Sequence, residues 1–222
     1  MQPLEVLKEE YKENKFENCF EELHKRYTHV RRARRDGSCF YRAFFYQYFE
    51  YFVKNKESPL YTQFLEKAEK SKADLVEQGY EEMVIEDFYD LFLDEAKKLK
   101  ECDAEKVSEH LETVLCNKDT SPYFIMYARF LTSLYLKQNA ILYEDFVGGS
   151  IDLFTRTEVE AADAECDHIQ IIALCSYLGL GVEINSVTPT GAIEIIRLPE
   201  DFQGEFTAKL LLVPGHYDAL YS

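Results

Sequence analysis

The sequence lacks any segment typical of a targeting or membrane signal. Its first residues, Met1 to Glu5, contain no basic region followed by an apolar one, so a secretory leader is not expected. No apolar stretch approaches the roughly 20 residues that cross a bilayer, so no membrane association is expected. These absences favour a cytoplasmic protein, with the nucleus as a second compartment.

Regularly spaced cysteines are also missing. The six cysteines show no CxxC pair and no repeated interval, which in a chain without a leader predicts reduced thiols. The histidines and cysteines do not cluster at the spacing that zinc requires. No metal and no other cofactor is therefore expected.

Basic residues are scarce, since 25 Lys and Arg stand against 41 Asp and Glu and give a net charge of −16. Such a surface repels phosphates, which disfavours nucleic acid as a partner, whereas a basic protein would be attracted. The one basic cluster comprises Arg31, Arg32, Arg34 and Arg35. Its simplest interpretation is a solvated approach to the loop that follows; stabilisation of a thiolate or contact with a partner's acidic patch are the alternatives.

A polar turn joins an apolar run at residues 35–44. Asp36 and Gly37 favour a tight turn, because glycine tolerates positive φ, and from Cys39 to Val53 nothing breaks a helix. That run is apolar on all sides, which predicts a buried central helix. Cys39 would lie in its first turn, where unsatisfied N–H groups and the positive end of the dipole favour a nucleophilic thiolate. An ordinary buried core cysteine is the alternative.

Two short strands hinged at Pro214-Gly215 are predicted near residue 222. His216 and Asp218 share one face of the second strand, about 6.5 Å apart along it, so the carboxylate can orient the imidazole. Together with Cys39 they would form a triad of nucleophile, general base and orienting carboxylate.

The remaining pattern predicts helices first and strands afterwards. Residues 1–30 indicate a helical N-terminal arm, with Phe16 on its second helix, and residues 54–137 indicate a helical lobe. Strand signals appear only after Val182. We therefore expect an α+β fold, in which a largely antiparallel C-terminal sheet packs on the helix that carries Cys39. At this length a single domain over residues 1–222 is expected.

Local signals predict where several helices begin. Ser58 and Ser121, each followed by proline, indicate helix starts, as do Asp103 and Asp167. His110 lies among acidic residues on the helix expected after Asp103, and we predict that it is solvent exposed.

Three motifs in order resemble the otubain branch of the OTU cysteine proteases, which are deubiquitinating enzymes. They span residues 36–44, 167–174 and 214–221, and residues 130–133 extend the similarity through the middle of the chain. The resemblance implies an OTU-type papain-like fold, with Cys39 as nucleophile, His216 as general base and Asp218 as the residue that orients it.

The resemblance also assigns the oxyanion hole to backbone N–H groups of the loop from Asp36 to Cys39. Ser38 stands where the family usually has Asn. Because a backbone donor survives that exchange, activity is expected to survive it too.

The substrate implied by the resemblance is ubiquitin in polyubiquitin chains or conjugates, cut at the isopeptide bond after its C-terminal glycine. Phe146 and His168 correspond to positions that face the distal ubiquitin. Ubiquitin-conjugating enzymes are further candidate partners, and the chain is expected to act as a monomer.

Two other functions fit the same resemblance. The chain could restrain a ubiquitin-conjugating enzyme without cutting, although only 35 residues precede Asp36 and that mode partly uses an N-terminal extension. Alternatively, it could cleave a different ubiquitin-like modifier.

Overall fold

The computed structural model describes residues 1–11 and 17–222. Its helices are α1 Glu5–Glu10, α2 Glu17–His24, α3 Cys39–Lys54, α4 Pro59–Glu77, α5 Glu82–Lys98, α6 Val107–Leu115, α7 Ser121–Gln138, α8 Ala140–Val147, α9 Ile151–Phe154 and α10 His168–Leu178. A π-helical turn, Thr155–Val159, follows α9. The strands are β1 Gln2–Pro3, β2 His29–Arg31, β3 Val182–Val187, β4 Ile193–Leu198, β5 Ala208–Val213 and β6 His216–Tyr221.

Helix α3 lies at the centre of the main core, as predicted from its continuous apolar run. Its rings interlock with those of the helical lobe: Phe45 packs edge-on against Phe92 of α5 and Phe124 of α7. Toward the sheet, the buried Gln47 amide donates to the Leu220 carbonyl and accepts from the Lys209 N–H. The helix that begins at the cysteine is thus fixed to both β5 and β6.

The sheet is largely antiparallel, in agreement with the sequence. Its order is β1-β2-β6-β5-β3-β4, and only β3 and β5 run parallel. The sheet is not confined to the C-terminal region, however, because β2 pairs with β6 and β1 pairs with β2. The segment expected to be a helical arm therefore contains two strands as well as α1 and α2. These strands have two and three residues, too short for a periodic signal.

The sheet separates two apolar clusters. One face packs against α3, where Tyr217 and Ala219 of β6 join the main core. The opposite face is covered by α1 and α2 and holds a second cluster that includes Leu7, Phe20 and Leu220. Successive residues of β6 alternate between these clusters, so His216 and Asp218 share one face as predicted.

The helical lobe fills residues 54–137 with α4 to α7. The Ser58 hydroxyl caps α4 by accepting the Tyr61 N–H at 3.2 Å, as its sequence signal predicted. The start predicted at Asp103 is wrong, because a turn comes first and α6 begins at Val107.

Two further predictions about helices have different outcomes. Asp167 caps α10 through a capping box with Gln170, as expected. Phe16, predicted on the second helix of the arm, lies outside the described residues. Among the helices that are described, none combines the length and apolarity needed to span a membrane.

Candidate active site

Cys39 is the first residue of α3, and only 8% of it is exposed. Its sulfur accepts a hydrogen bond from the Tyr217 N–H of β6 at 3.4 Å. This contact joins residues 178 positions apart in the chain. The start of the central helix and the start of the last strand therefore meet, as the sequence predicted.

His216 and Asp218 form a buried pair on β6. The imidazole Nε2 lies 2.9 Å from Asp218 Oδ1, and both side chains are about fully enclosed, at 2% and 1% exposure. Because an ionised carboxylate only accepts hydrogen bonds, Nε2 carries the hydrogen. The other nitrogen, Nδ1, forms no regular hydrogen bond with any residue of the described chain. It is therefore the nitrogen left to take up a proton.

The charge of His216 reflects competing effects. Burial acts to lower the pKa of the imidazole, but the hydrogen bond with Asp218, the interaction with the neighbouring Cys39 and the negative charge of Asp218 outweigh it. The net effect raises the pKa of His216 to about 9. The site thus favours the protonated imidazolium form of His216.

The Asp218 carboxylate has partners that sequence reasoning missed. Oδ1 also accepts the Ala33 N–H at 2.8 Å, and Oδ2 lies 2.9 Å from Arg32 Nε. Arg32 belongs to the basic cluster that is visible in the sequence. The residue that it contacts, Asp218, lies on a strand almost 190 positions away. Only the fold brings the two together.

All four arginines of the basic cluster pair with acidic side chains of the chain itself. Those acidic partners are Glu112 for Arg31, Glu10 and Asp218 for Arg32, Asp36 for Arg34, and Glu10 for Arg35. The cluster is thus more than a solvated approach, because it holds the segment before Cys39 in place.

The loop before Cys39 is held by Asp36. The Ser38 N–H donates to both the carbonyl and the carboxylate of Asp36, and the Cys39 N–H donates to the same carbonyl at 3.1 Å. Arg34 Nε donates to the Asp36 carboxylate at 2.6 Å, and Arg42 bonds to its other oxygen. Two of the donors that the resemblance assigns to an oxyanion are therefore occupied within the loop.

Arg129 of α7 fixes the loop from below and was not predicted. Its guanidinium is buried and donates to the carbonyls of Gly37, Val159, Ala162 and Ala164 at 2.8–3.3 Å. The loop also packs tightly there, since a Cβ on Gly37 would collide with a backbone carbonyl. Residue 129 immediately precedes the 130–133 motif, but no spacing rule singles out an arginine in a helix.

A cleft of about 650 Å³ opens over Cys39. Its lining is strongly acidic, and the carboxylates are those of Asp36, Glu158, Asp163, Glu165 and Asp167. Among the described residues that line the cleft, Arg35 is the one with a basic side chain. The cleft therefore suits an extended segment that carries positive charge.

Phe146 and His168 lie apart from the cluster around Cys39. Phe146 is 77% exposed on α8, beside the exposed Ile141 and Leu142, and together they form an apolar surface. His168 is half-buried at the start of α10, with Nδ1 3.2 Å from Asp167 of the cleft lining. Both side chains are accessible to a partner.

The other histidines and acidic residues do not form a metal centre among the described residues. Within residues 1–11 and 17–222, no group of three or more His, Cys, Asp or Glu side chains is placed to hold a metal ion. His110, predicted to be exposed, is only 27% exposed and lies 3.1 Å from the buried Glu95. That prediction was wrong because the His110 imidazole reaches the Glu95 carboxylate of α5, a contact that the local acidic neighbours conceal.

A cysteine-led helix packed on a sheet that supplies a histidine and a carboxylate defines a papain-like cysteine protease of the OTU type. The family model described as Peptidase C65 Otubain matches residues 1–222. The chain belongs to the otubain family.

Relatives in animals and plants agree with this assignment. Ubiquitin thioesterase OTUB1 of Homo sapiens is 35% identical over 224 residues, which cover 98% of this chain and 80% of that protein. Ubiquitin thioesterase OTUB2 of Homo sapiens is 31% identical, covering 99% and 92%. The OVARIAN TUMOR DOMAIN-containing deubiquitinating enzyme 1 of Arabidopsis thaliana is 29% identical, covering 90% and 71%.

Solved structures are similar over nearly the whole chain. The structure of a ceOTUB1 complex with ubiquitin aldehyde and UBC13~Ub superposes with a TM-score of 0.86 at 29% identity, covering 99% of this chain and 90% of that one. The h/ceOTUB1 structure with ubiquitin aldehyde and UBCH5B~Ub gives a TM-score of 0.87, covering 99% and 87%. The α+β, papain-like fold expected from the sequence is confirmed.

Proposed function

We propose that this otubain is a deubiquitinating cysteine peptidase that hydrolyses the isopeptide bond after the C-terminal glycine of ubiquitin. The observation that carries the proposal is the convergence of Cys39, His216 and Asp218, with Cys39 lining an acidic cleft. The names of its relatives as ubiquitin thioesterases and a deubiquitinating enzyme support it.

The geometry supports a division of roles within the cluster. Asp218 holds the Nε2–H of His216, which leaves Nδ1 to take the proton of Cys39. The thiolate attacks the carbonyl carbon of the ubiquitin glycine, the amine leaves with the proton, and a thioester forms. Water activated by His216 then releases ubiquitin. No metal or cofactor takes part in this sequence.

The loop from Asp36 to Cys39 stabilises the oxyanion in this proposal. Within that loop the Gly37 N–H makes no hydrogen bond to another described residue, whereas those of Ser38 and Cys39 donate to the Asp36 carbonyl. An oxyanion above Cys39 would compete for the Cys39 donor. We therefore infer that substrate binding shifts the Asp36 carbonyl, and that Ser38 serves through its backbone.

Substrate contacts are proposed at two accessible surfaces. The acidic cleft suits a basic extended tail, and the exposed apolar face of α8, with Phe146, suits the apolar face of the distal ubiquitin. His168 lies at the start of α10, beside Asp167 of the cleft lining. We further propose that the protein acts as a monomer in the cytoplasm and the nucleus.

The test uses ubiquitin that carries an electrophile at its C-terminus. The wild-type chain should become covalently labelled and should cleave members of a panel of differently linked diubiquitins. Cys39→Ala should abolish both reactions while it retains ubiquitin binding. Cys116→Ala, which removes an exposed cysteine outside the cluster, is the matched control and should behave as wild type. A Cys39→Ala protein that still cleaves chains would refute the assignment.

Regulation of a ubiquitin-conjugating enzyme is a second candidate, favoured by the neighbouring structures that contain UBC13~Ub or UBCH5B~Ub. A pure regulator would bind such a conjugate but would not be labelled at Cys39. Labelling only by probes built on another ubiquitin-like modifier would instead indicate a protease for that modifier.

A further inference from the structure

Arg32 lies directly behind the carboxylate of the triad. Its Nε is 2.9 Å from Asp218 Oδ2, and its side chain is 23% exposed whereas that of Asp218 is 1% exposed. Oδ1 of the same carboxylate is already engaged by His216 and by the Ala33 N–H. Arg32 is therefore the cation that faces the second, buried oxygen.

Arg32 is itself held by the first helix. Glu10, the last residue of α1, binds both terminal nitrogens of the Arg32 guanidinium, one of them through Oε1 at 3.0 Å. The hydrogen bond from Arg32 lowers the pKa of Glu10, so that carboxylate is charged at neutral pH. Charges of alternating sign thus run from Glu10 through Arg32 and Asp218 to His216.

We propose that Arg32 is a positioning residue that keeps the Asp218 carboxylate turned toward His216. Glu10 sets how strongly the positive charge of Arg32 acts on the imidazole. The inference rests on the proposed function for the roles of Cys39, His216 and Asp218. Without Arg32, a buried carboxylate oxygen would face no cation, so the carboxylate would be held in place less firmly.

Several elements face this arrangement with titratable groups. Cys39 faces it from α3, Tyr11 and Glu10 from the end of α1, and Glu165 from the loop before α10, near Gly215. Arg35 shares Glu10 with Arg32. Among the described residues, Arg32 is the one that pairs with Asp218 Oδ2.

The charges predict opposite effects for two substitutions. A cation beside the pair of His216 and Cys39 favours the loss of a proton from each group. Arg32→Met should therefore move both limbs of the pH profile of Cys39 alkylation to higher pH, by about half a pH unit or more. Glu10→Gln keeps a hydrogen-bonding side chain but leaves Arg32 less compensated, so both limbs should move downward. Arg32→Lys should restore the wild-type limbs. Arg32→Met should also lower kcat/KM for ubiquitin cleavage about tenfold to a hundredfold, because the imidazole is less well oriented.

The readout is the rate at which iodoacetamide alkylates Cys39 from pH 5 to 10, with Cys39→Ser protein as the background, alongside cleavage kinetics. Alkylation does not require ubiquitin, so it tests Arg32 even if the chain cuts no ubiquitin bond. The matched control is Arg26→Met, because Arg26 is also a partly exposed arginine on a buried carboxylate, Glu183, but lies away from Cys39. It should leave the profile unchanged.

Shifts of opposite sign in Arg32→Met and Glu10→Gln, with rescue by lysine, would support the inference. An unchanged profile in both variants, or a change matched by Arg26→Met, would overturn it. If Arg32→Met does not fold, Glu10→Gln and Arg32→Lys decide the question: a downward shift in the first with none in the second supports the inference, and any other result opposes it.

Discussion

His216 is the residue whose ionisation links the chemistry of the site to the stability of the fold. Its pKa is raised to about 9 from the ordinary 6.5, because the hydrogen bond with Asp218 and the interaction with Cys39 outweigh the effect of burial. A group whose pKa is higher in the folded state stabilises that state fully below the unfolded value. This contribution is therefore present below pH 6.5 and is lost as the pH rises through about 9.

We expect wild-type protein to lose about 3 kcal/mol more unfolding free energy between pH 6.5 and 9.5 than His216→Gln, in which no imidazole titrates. Urea unfolding at a series of pH values measures the difference. Parallel curves for the two proteins would contradict the prediction.

At the same scale, the positions of Cys39, His216 and Asp218 could be predicted, and the residues that hold them could not. Cys39 follows a turn signal at a helix start, and His216 and Asp218 follow from strand alternation, so each is visible in a short window. Arg32 and Arg129 act on groups that are distant in the chain, and an arginine carries no local mark of its target. Their roles become visible only when the strands and loops have been placed.

Among the elements, α7 has a direct effect on the site through Arg129. Its buried guanidinium holds the loop before Cys39 and the segment between the π-helical turn and α10. Two loops from different parts of the chain therefore depend on one helix.

Arg129→Met should destabilise the protein by about 3–5 kcal/mol, because several buried carbonyls lose a charged donor. Arg129→Lys should lose less, since it keeps the charge but cannot reach all the carbonyls. Denaturant unfolding measures both. The control is Arg156→Met on the exposed side of the π-helical turn, expected within about 0.5 kcal/mol of wild type. Equal losses at positions 129 and 156 would refute the role of Arg129.

Element boundaries were predictable where a side chain caps a helix. Ser58 and Asp167 cap their helices as expected, whereas Asp103 opens a turn four residues before α6. The strands β1 and β2 escaped prediction because their pairing depends on β6, far along the sequence. Strands of two or three residues have little propensity signal of their own.

For the molecule as a whole, the sheet divides the interior into a large core around α3 and a small one under α1 and α2. The small core binds the N-terminal helices to the rest of the chain. Leu7 is fully buried there, while its neighbour Val6 is 40% exposed on the same helix.

Leu7→Ala should therefore cost about 2–5 kcal/mol, since it leaves a cavity beneath the sheet. Val6→Ala, which removes similar apolar atoms from the surface, should change the unfolding free energy by less than about 0.5 kcal/mol. Thermal and denaturant unfolding provide the comparison. Similar losses of unfolding free energy in the two variants would show that Leu7 of α1 does not contribute to a core.

The position of β6 between β2 and β5 has a consequence for synthesis on the ribosome. The Cys39 thiol leaves the exit tunnel before β6, the strand that carries His216 and pairs with β2, which is translated some 180 codons later. Until β6 has been synthesised, a nascent chain therefore lacks the histidine that its proteolytic activity needs. Over the same period β2 cannot pair with β6. A transcript truncated before the codon for His216 would encode the Cys39 thiol without the imidazole that activates it.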